Sequence, residues 1–122
     1  MQQSDPVDFL PPGIPSELRR LGRILHGPDE GLVAWDRSSA REVLACLRGT
    51  KVAVAAGYAY YANTADPVAF EGWCVELLQG EHATTYAERS QAMAQAKVET
   101  LPDTATSQVL FAFEFSSQDA AA

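Results

Sequence analysis

The sequence predicts an α+β domain in which a three-stranded, mainly antiparallel sheet with strand order 2-1-3 packs with about three helices. Three segments indicate this class. Residues 51–63 are rich in Val, Ala and Tyr, as strands are. Residues 84–100 hold much Ala and neither Gly nor Pro, which favours a helix. From residue 109 to residue 115, large apolar side chains recur at every second position, the period of a half-covered strand.

The length of 122 residues is that of one domain, and 47% hydrophobic and 20% charged residues are ordinary for a globular chain. Residues 1–15 contain four prolines and a glycine, so we predict an extended N-terminal arm that lies on the surface or is mobile. Residues 16–116 are predicted to form a single α+β domain, and residues 117–122 a frayed tail.

Two helices are predicted before the sheet. The first begins with Ser16 as a candidate N-cap, carries apolar side chains at helical spacing through Leu25, and is ended by Gly27 and Pro28. A short apolar run, 32–35, precedes the second helix. Its candidate caps are Asp36, Ser38 and Ser39, its apolar stripe is Val43, Leu44 and Leu47, and its end is Gly49.

The strands follow. Residues 51–63 form the first predicted strand, turn residues occupy 63–67, and residues 70–78 return as the second strand of a hairpin. The third helix, 84–100, leads to the third strand, 108–115, which we expect beside the first strand and antiparallel to it. Phe111, Phe113 and Phe115 are expected to face the helices. The cover of the face that carries Leu110, Ala112 and Glu114 is left open.

The net charge of −7 lies entirely in the C-terminal part of the chain. Residues 1–51 hold seven basic and seven acidic residues, whereas residues 52–122 hold two and nine. Repulsion from phosphate argues against a nucleic-acid partner for this half, and attraction favours a basic protein or a cation. The alternative is an acidic, solvated face that aids solubility.

Residues with catalytic or metal-binding chemistry are few. Cys46 and Cys74 share no ligand spacing with His26 or His82, so no metal site is predicted. Both cysteines are interpreted as small buried residues, and a disulfide between them stays open. His26 is interpreted as a helix-end cap and His82 as a solvated loop residue. The sequence therefore predicts no catalytic residue, no enzyme activity and no cofactor.

No membrane association is expected either. The N-terminal ten residues lack a basic segment followed by an apolar run, so no secretory signal is predicted. The most apolar segment, 52–62, is too short to span a bilayer. A cytoplasmic location is the resulting prediction.

Aromatic side chains mark the hairpin. Tyr58 and Tyr60 share one face of the first strand and Tyr61 points to the other, while Trp73 lies across the hairpin. With acidic neighbours, such rings are typical of interface anchors, although a core role for Trp73 and one or two tyrosines is the alternative. Glu71 and Glu76 are five residues apart and point to opposite faces, which weakens them as a catalytic pair.

Four segments together resemble the immunity protein 40 family of bacterial polymorphic toxin systems. They are the strand 52–60, which runs into Gly57 and Tyr58, the tryptophan segment 70–76, the helix with Tyr86, Ser90 and Ala94, and the strand 109–115. The chain departs from the family at two places. The family usually has a paired glycine followed by an acidic residue at the end of the first strand, where this chain has Gly57 and then Tyr58. The family often has a polar residue before the tryptophan, where this chain has Gly72. The resemblance implies a cognate toxin that is bound directly, without catalysis.

The resulting hypothesis is an immunity protein that binds and neutralises a cognate toxin or effector protein. The predicted charge contacts are Asp66, Glu71, Glu76 and Glu81, and the predicted anchors are Trp73, Tyr58, Tyr60 and Tyr61. Two alternatives stay open: a secretion chaperone or adaptor for an effector, and a small ligand-binding domain with a pocket beneath Trp73 and the tyrosines. The oligomeric state is left open as well.

Overall fold

In a computed structural model of the protein, the described residues are 10–25, 32–63 and 68–117. The helices are α1 (Ser16–Leu21), α2 (Arg37–Leu47) and α3 (Ala83–Thr100). The strands are β1 (Arg23–Ile24), β2 (Val33–Asp36), β3 (Val52–Tyr61), β4 (Glu71–Cys74) and β5 (Val109–Ser117). The strands form one antiparallel sheet with the order β1-β2-β5-β3-β4.

The predicted α+β class and antiparallel sheet are confirmed, but the predicted number of strands is wrong. The three predicted strands correspond to β3, β4 and β5, and they lie in the predicted order, with β3 between the other two. Strands β1 and β2 were missed. Strand β2 contains three residues of the apolar run 32–35, which is too short for its periodicity to distinguish strand from helix.

Strand β1 was missed because its residues continue the apolar spacing of the predicted first helix. That helix ends at Leu21, and Gly22 is already extended, with φ −71° and ψ 140°. A Cβ atom on Gly22 would lie 2.2 Å from Val33 Cγ1, so only glycine lets β2 approach this closely. Ser16 is the first helical residue rather than the predicted N-cap, a position that Pro15 occupies. The predicted stop residues Gly27 and Pro28 lie outside the described residues, as does His26.

Helix α2 follows the sequence prediction. The carboxylate of Asp36 accepts a hydrogen bond of 2.8 Å from the backbone N–H of Ser39 and thereby caps the helix. Val43, Leu44 and Leu47 are buried against the sheet. The chain thus passes from β2 directly into a capped helix.

The main core lies between the helices and one face of the sheet. Trp35 of β2 is fully buried there beside Phe111 and Phe113 of β5, and its indole N–H donates to the carbonyl of Leu18 at 2.7 Å. Ile14, near the end of the predicted arm, is buried in the same cluster. The opposite face carries a smaller buried cluster of Leu25, Ala34, Tyr60, Leu110 and Ala112. Side chains are therefore buried on both faces of the sheet.

Polar side chains of α3 form hydrogen bonds with the backbone at the beginning of β3, where β4 does not pair with it. The Val54 N–H donates to Ser90 Oγ at 2.9 Å, and Gln91 Nε2 donates to the carbonyls of Leu47 and Val52 at 3.0 and 2.8 Å. The register of β3 against β5 shifts between Val54 and Ala56. Ser90 and Gln91 are buried, so α3 satisfies backbone groups of β3 beyond the end of β4.

Candidate functional site

The tryptophan of the hairpin packs directly on a glycine. Trp73 and Gly57 are register partners in β4 and β3, and the indole ring covers Gly57 so closely that a Cβ atom there would lie 2.1 Å from Trp73 Cζ2. Phe113 packs edge-on against the same ring, with 6.5 Å between the centroids. Trp73 is half-buried, and its buried indole N–H has no hydrogen-bond partner in the part of the chain that is described. The ring is therefore largely structural.

Glu71, a predicted charge contact, is part of an ion pair over this ring. Lys97 Nζ lies 2.8 Å from Glu71 Oε2 and 5.8 Å from the centroid of the Trp73 ring. The ammonium group is thus shared between the carboxylate and the indole face. Glu71 is half-exposed, and its charge is matched within the protein.

Glu81, another predicted contact, fixes the connection between β4 and α3. Its carboxylate accepts hydrogen bonds from Arg89 Nε at 2.9 Å, from Arg89 Nη2 at 2.8 Å and from the Leu78 N–H at 3.0 Å. These bonds, those from Arg89 above all, lower the pKa of Glu81 to about 2. Only 8% of its side chain is exposed, so Glu81 is engaged from within.

The three predicted tyrosines differ in exposure. Tyr58 is half-buried and donates from its hydroxyl to Glu114 Oε2 at 2.8 Å. Tyr61 stacks on Phe70, with 4.2 Å between ring centroids. Tyr60 has no exposed surface and belongs to the cluster on the sheet face opposite the helices. Tyr60, a predicted anchor, is therefore one of the tyrosines that take the alternative core role.

Ion pairs join the acidic C-terminal half to the basic residues of α2. Arg41 pairs with Glu99 at 2.5 Å, and Arg37 pairs with Asp103 at 3.0 Å. The bond from Arg41 lowers the pKa of Glu99, and a bond from a backbone N–H lowers the pKa of Asp103. The division of charge along the sequence is thus partly cancelled in space. Among the described carboxylates of residues 52–117, those of Glu76 and Glu88 make no hydrogen bond or ion pair.

Exposed apolar side chains concentrate around β4. Six large hydrophobic residues are exposed in the described parts of the chain, and four of them flank this strand: Val68, Phe70, Leu77 and Leu78. We call β4 together with these four residues and the exposed Glu76 the β4 edge surface. Asp66, predicted as a contact of the same region, lies outside the described residues.

The exposure of Leu77 and Leu78 was not predicted, because residues 70–78 were expected to form one continuous strand. The strand ends at Cys74, so Leu77 and Leu78 are not paired in the sheet. Cys74 itself is exposed, which makes the prediction of two buried cysteines wrong for this residue, and Cys46 is half-buried. The adjacent leucines after a short strand were the available signal, because a strand turns consecutive side chains to opposite faces.

Two cavities lie away from the hairpin. One, of about 270 Å³, is lined by α2 and α3 residues that include Leu44, Glu88 and Gln91. The other, of about 290 Å³, is lined by residues that include Asp36, Arg41 and Asp103. Neither is lined by Trp73 or the predicted tyrosines. The described residues contain no cluster of three or more side chains suited to hold a metal ion.

The family model for immunity protein 40 matches residues 23–115 of the chain. This chain belongs to the immunity protein 40 family. The match begins at β1 and ends within β5, so the family sequence spans α2, α3 and all but the end of the sheet. No curated protein matches the chain. No solved structure matches it.

The residues on which the resemblance rests have structural roles in this immunity protein 40 member. Gly57 and Trp73 are distant in sequence but lie opposite each other in the hairpin, because the glycine provides the space that the indole fills. Ser90 bonds to the backbone of β3, and Tyr86 donates from its hydroxyl to the carbonyl of Val75 at 2.7 Å. In the described ranges of this immunity protein 40 member, no helix has the length and apolar character to cross a membrane.

Proposed function

We propose that this immunity protein 40 member binds a cognate toxin of a bacterial polymorphic toxin system in the cytoplasm and neutralises it by direct association. The observation that carries the proposal is the family match over residues 23–115. The protein acts as an inhibitor and performs no catalysis of its own.

The β4 edge surface is the proposed contact region. Val68 and Leu78 are 66% and 59% exposed, which is a large apolar exposure for neighbours of a short strand. The stacked pair of Tyr61 and Phe70 adds an aromatic border, and the half-buried ring of Trp73 lies between the two apolar ends. Apolar and aromatic anchors of this kind dominate the binding energy of protein interfaces.

Charge contributes through Glu76 and through the net charge of −7. Glu76 is exposed and unpaired among the described residues, so its carboxylate is available to pair with a cationic group on the toxin. The net charge accelerates the approach of a basic toxin, since complementary charge raises association rates more than it raises affinity. Within the β4 edge surface Glu71 is paired with Lys97, Tyr58 lies opposite Gly72 of β4, and Glu81 fixes the connection from β4 to α3.

The first test is co-expression with the toxin domain encoded by the neighbouring gene. The proposal predicts that the chain restores growth of cells that produce the toxin and that the two proteins purify as one complex. Absence of any complex contradicts the proposed function. A stable complex in which the toxin keeps its full activity contradicts neutralisation and supports the chaperone alternative.

A pair of charge reversals tests the location of the contact. Glu76→Lys removes a carboxylate at the β4 edge surface, and Glu42→Lys makes the same change in net charge on the exposed side of α2. We expect Glu76→Lys to slow association several-fold more than Glu42→Lys, and to reduce its salt dependence. Equal association rates for the two variants place the contact elsewhere, for example on the arginine-rich α1.

A further inference from the structure

The outer edge of β4 presents backbone groups that no described strand uses. The Val75 N–H donates to the Ala55 carbonyl at 2.9 Å, so this position is hydrogen-bonded to β3. Hydrogen-bonded positions alternate along an antiparallel pair, which assigns Trp73 and Glu71 to the same side. Gly72 and Cys74 therefore direct their N–H and C=O groups away from β3. In the described sheet β4 is an edge strand, and no other strand pairs with these groups.

The outward positions of this edge carry neither charge nor proline. Native edge strands are protected by short length, charged side chains, proline or bulges, and β4 is short, but its two outward positions are a glycine and a cysteine. The edge is short, because the carbonyl of Glu76, the next outward position, already accepts a bond of 2.6 Å from Arg89 Nη2. Two residues, with up to four backbone hydrogen bonds, are available.

The surroundings of the edge select its occupant. The apolar side chains of the β4 edge surface lie at both ends of the strand, and Glu76, whose carboxylate is unpaired among the described residues, follows Cys74 by two residues. A second copy of the chain would bring a further net charge of −7 and a second Glu76 to the same place. Charge complementarity therefore favours a basic partner over self-association.

We propose that the toxin binds by adding an extended segment as a sixth strand along Gly72 and Cys74 of β4. This inference rests on the proposed function and specifies its binding mode. The segment has apolar side chains that contact Val68, Phe70, Leu77 and Leu78. It also has a Lys or Arg side chain that pairs with Glu76. Main-chain hydrogen bonds supply the attachment, and the flanking side chains supply the selectivity, as in other cases of strand addition.

Two substitutions of Gly72 separate the backbone from the side chain. Gly72→Pro removes the outward N–H, and proline is tolerated at edge positions that face away from the ladder. Gly72→Ala keeps the N–H, and its Cβ would lie at an ordinary 3.5 Å from Tyr58 Cδ1. The probe is the catalytically inactive toxin domain encoded by the neighbouring gene, titrated calorimetrically into each variant. We expect Gly72→Pro to bind about tenfold or more weakly than Gly72→Ala, because a buried acceptor loses its donor.

Hydrogen exchange on the unmodified chain gives a second test that does not depend on the folding of a variant. Complex formation is expected to slow exchange at the amides of Gly72 and Cys74. Strand addition is overturned if the wild type binds and the two Gly72 variants bind with equal affinity. It is also overturned if the wild type binds and exchange at these two amides is unchanged. Either result leaves the proposed function standing. Failure of the wild type to bind refutes the proposed function itself. A free chain that is dimeric, with these amides already protected, shows that a second copy occupies the edge.

Discussion

Replacing Gly57 by alanine tests whether the contact between Gly57 and Trp73 organises the hairpin. In most strand positions this change stabilises a protein by about 0.5–1 kcal/mol, because glycine loses more conformational freedom on folding. Here the added Cβ atom would lie 2.1, 2.5 and 2.6 Å from three atoms of the Trp73 ring. The ring must therefore move by more than about 1 Å to restore an ordinary contact, which begins at 3.4 Å.

The displacement sets the expected magnitude. Overpacking of this kind costs about 1–3 kcal/mol, so we expect Gly57→Ala to lower the free energy of unfolding by about 1–2 kcal/mol after its propensity gain. In a Trp73→Ala background the obstacle is absent, and the same change should raise the free energy of unfolding by about 0.5–1 kcal/mol. The sign of the effect thus reverses, with a coupling energy of about 2 kcal/mol.

Urea unfolding of the four proteins in this double-mutant cycle measures the coupling. Trp35, which is fully buried, remains as the fluorescence reporter in the variants that lack Trp73. Phe113→Leu provides a control, because Phe113 packs edge-on against the same ring, whereas the three atoms nearest to the added Cβ all belong to Trp73; this change should not reverse the sign of Gly57→Ala. Stabilisation by Gly57→Ala in the wild-type background, or a coupling energy near zero, would refute the packing argument.

Two further predictions concern the support of the β4 edge surface. The pKa of Glu81 is lowered to about 2 from its usual 4.5, so its ionised form stabilises the fold above pH 4.5, and this contribution is lost as the pH falls to about 2. Glu81→Gln should therefore be less stable than the wild type at pH 7. The urea midpoints of the two proteins should converge near pH 2. Ser90→Ala should lower the free energy of unfolding by about 1–3 kcal/mol, because the buried Val54 N–H loses its acceptor, whereas the exposed Ser38→Ala should change it by less than about 0.5 kcal/mol. A Glu81→Gln profile parallel to that of the wild type, or equal effects of the two serine changes, would contradict these assignments.

Hydrophobic periodicity predicted the elements whose apolar residues recur in a long, regular pattern. Helix α3 and strand β5 have long, regular patterns, and their bounds lie close to the predicted ones. Strand β1 was lost because Ile24 and Leu25 continue the helical spacing of Leu18 and Leu21. The helix ends before Gly22, where Val33 of β2 approaches the glycine, and a local apolar pattern carries no information about that contact.

The hairpin that carries the candidate site was predictable from the sequence, but the contacts of its side chains were not. The sequence located the hairpin, its aromatic rings and its acidic residues, and it could not tell which carboxylates have partners. Glu81 and its partner Arg89 are eight residues apart, and Glu71 and Lys97 are twenty-six apart, so only the packing of α3 against the sheet creates these pairs. The division of charge along the sequence likewise did not show which acidic residues are unpaired. In the fold, Arg41 of α2 pairs with Glu99 and Arg37 of α2 pairs with Asp103.

The bonds from Ser90 and Gln91 to the beginning of β3 have a consequence for how such a protein can diversify. Because α3 satisfies this part of β3, the sheet does not need a long fourth strand, and β4 contributes only four register pairs. The segment 68–78 can therefore exchange exposed side chains while the folded framework stays intact. Under the proposed function, a lineage that meets a changed toxin could adapt its contact surface through substitutions in this one short segment.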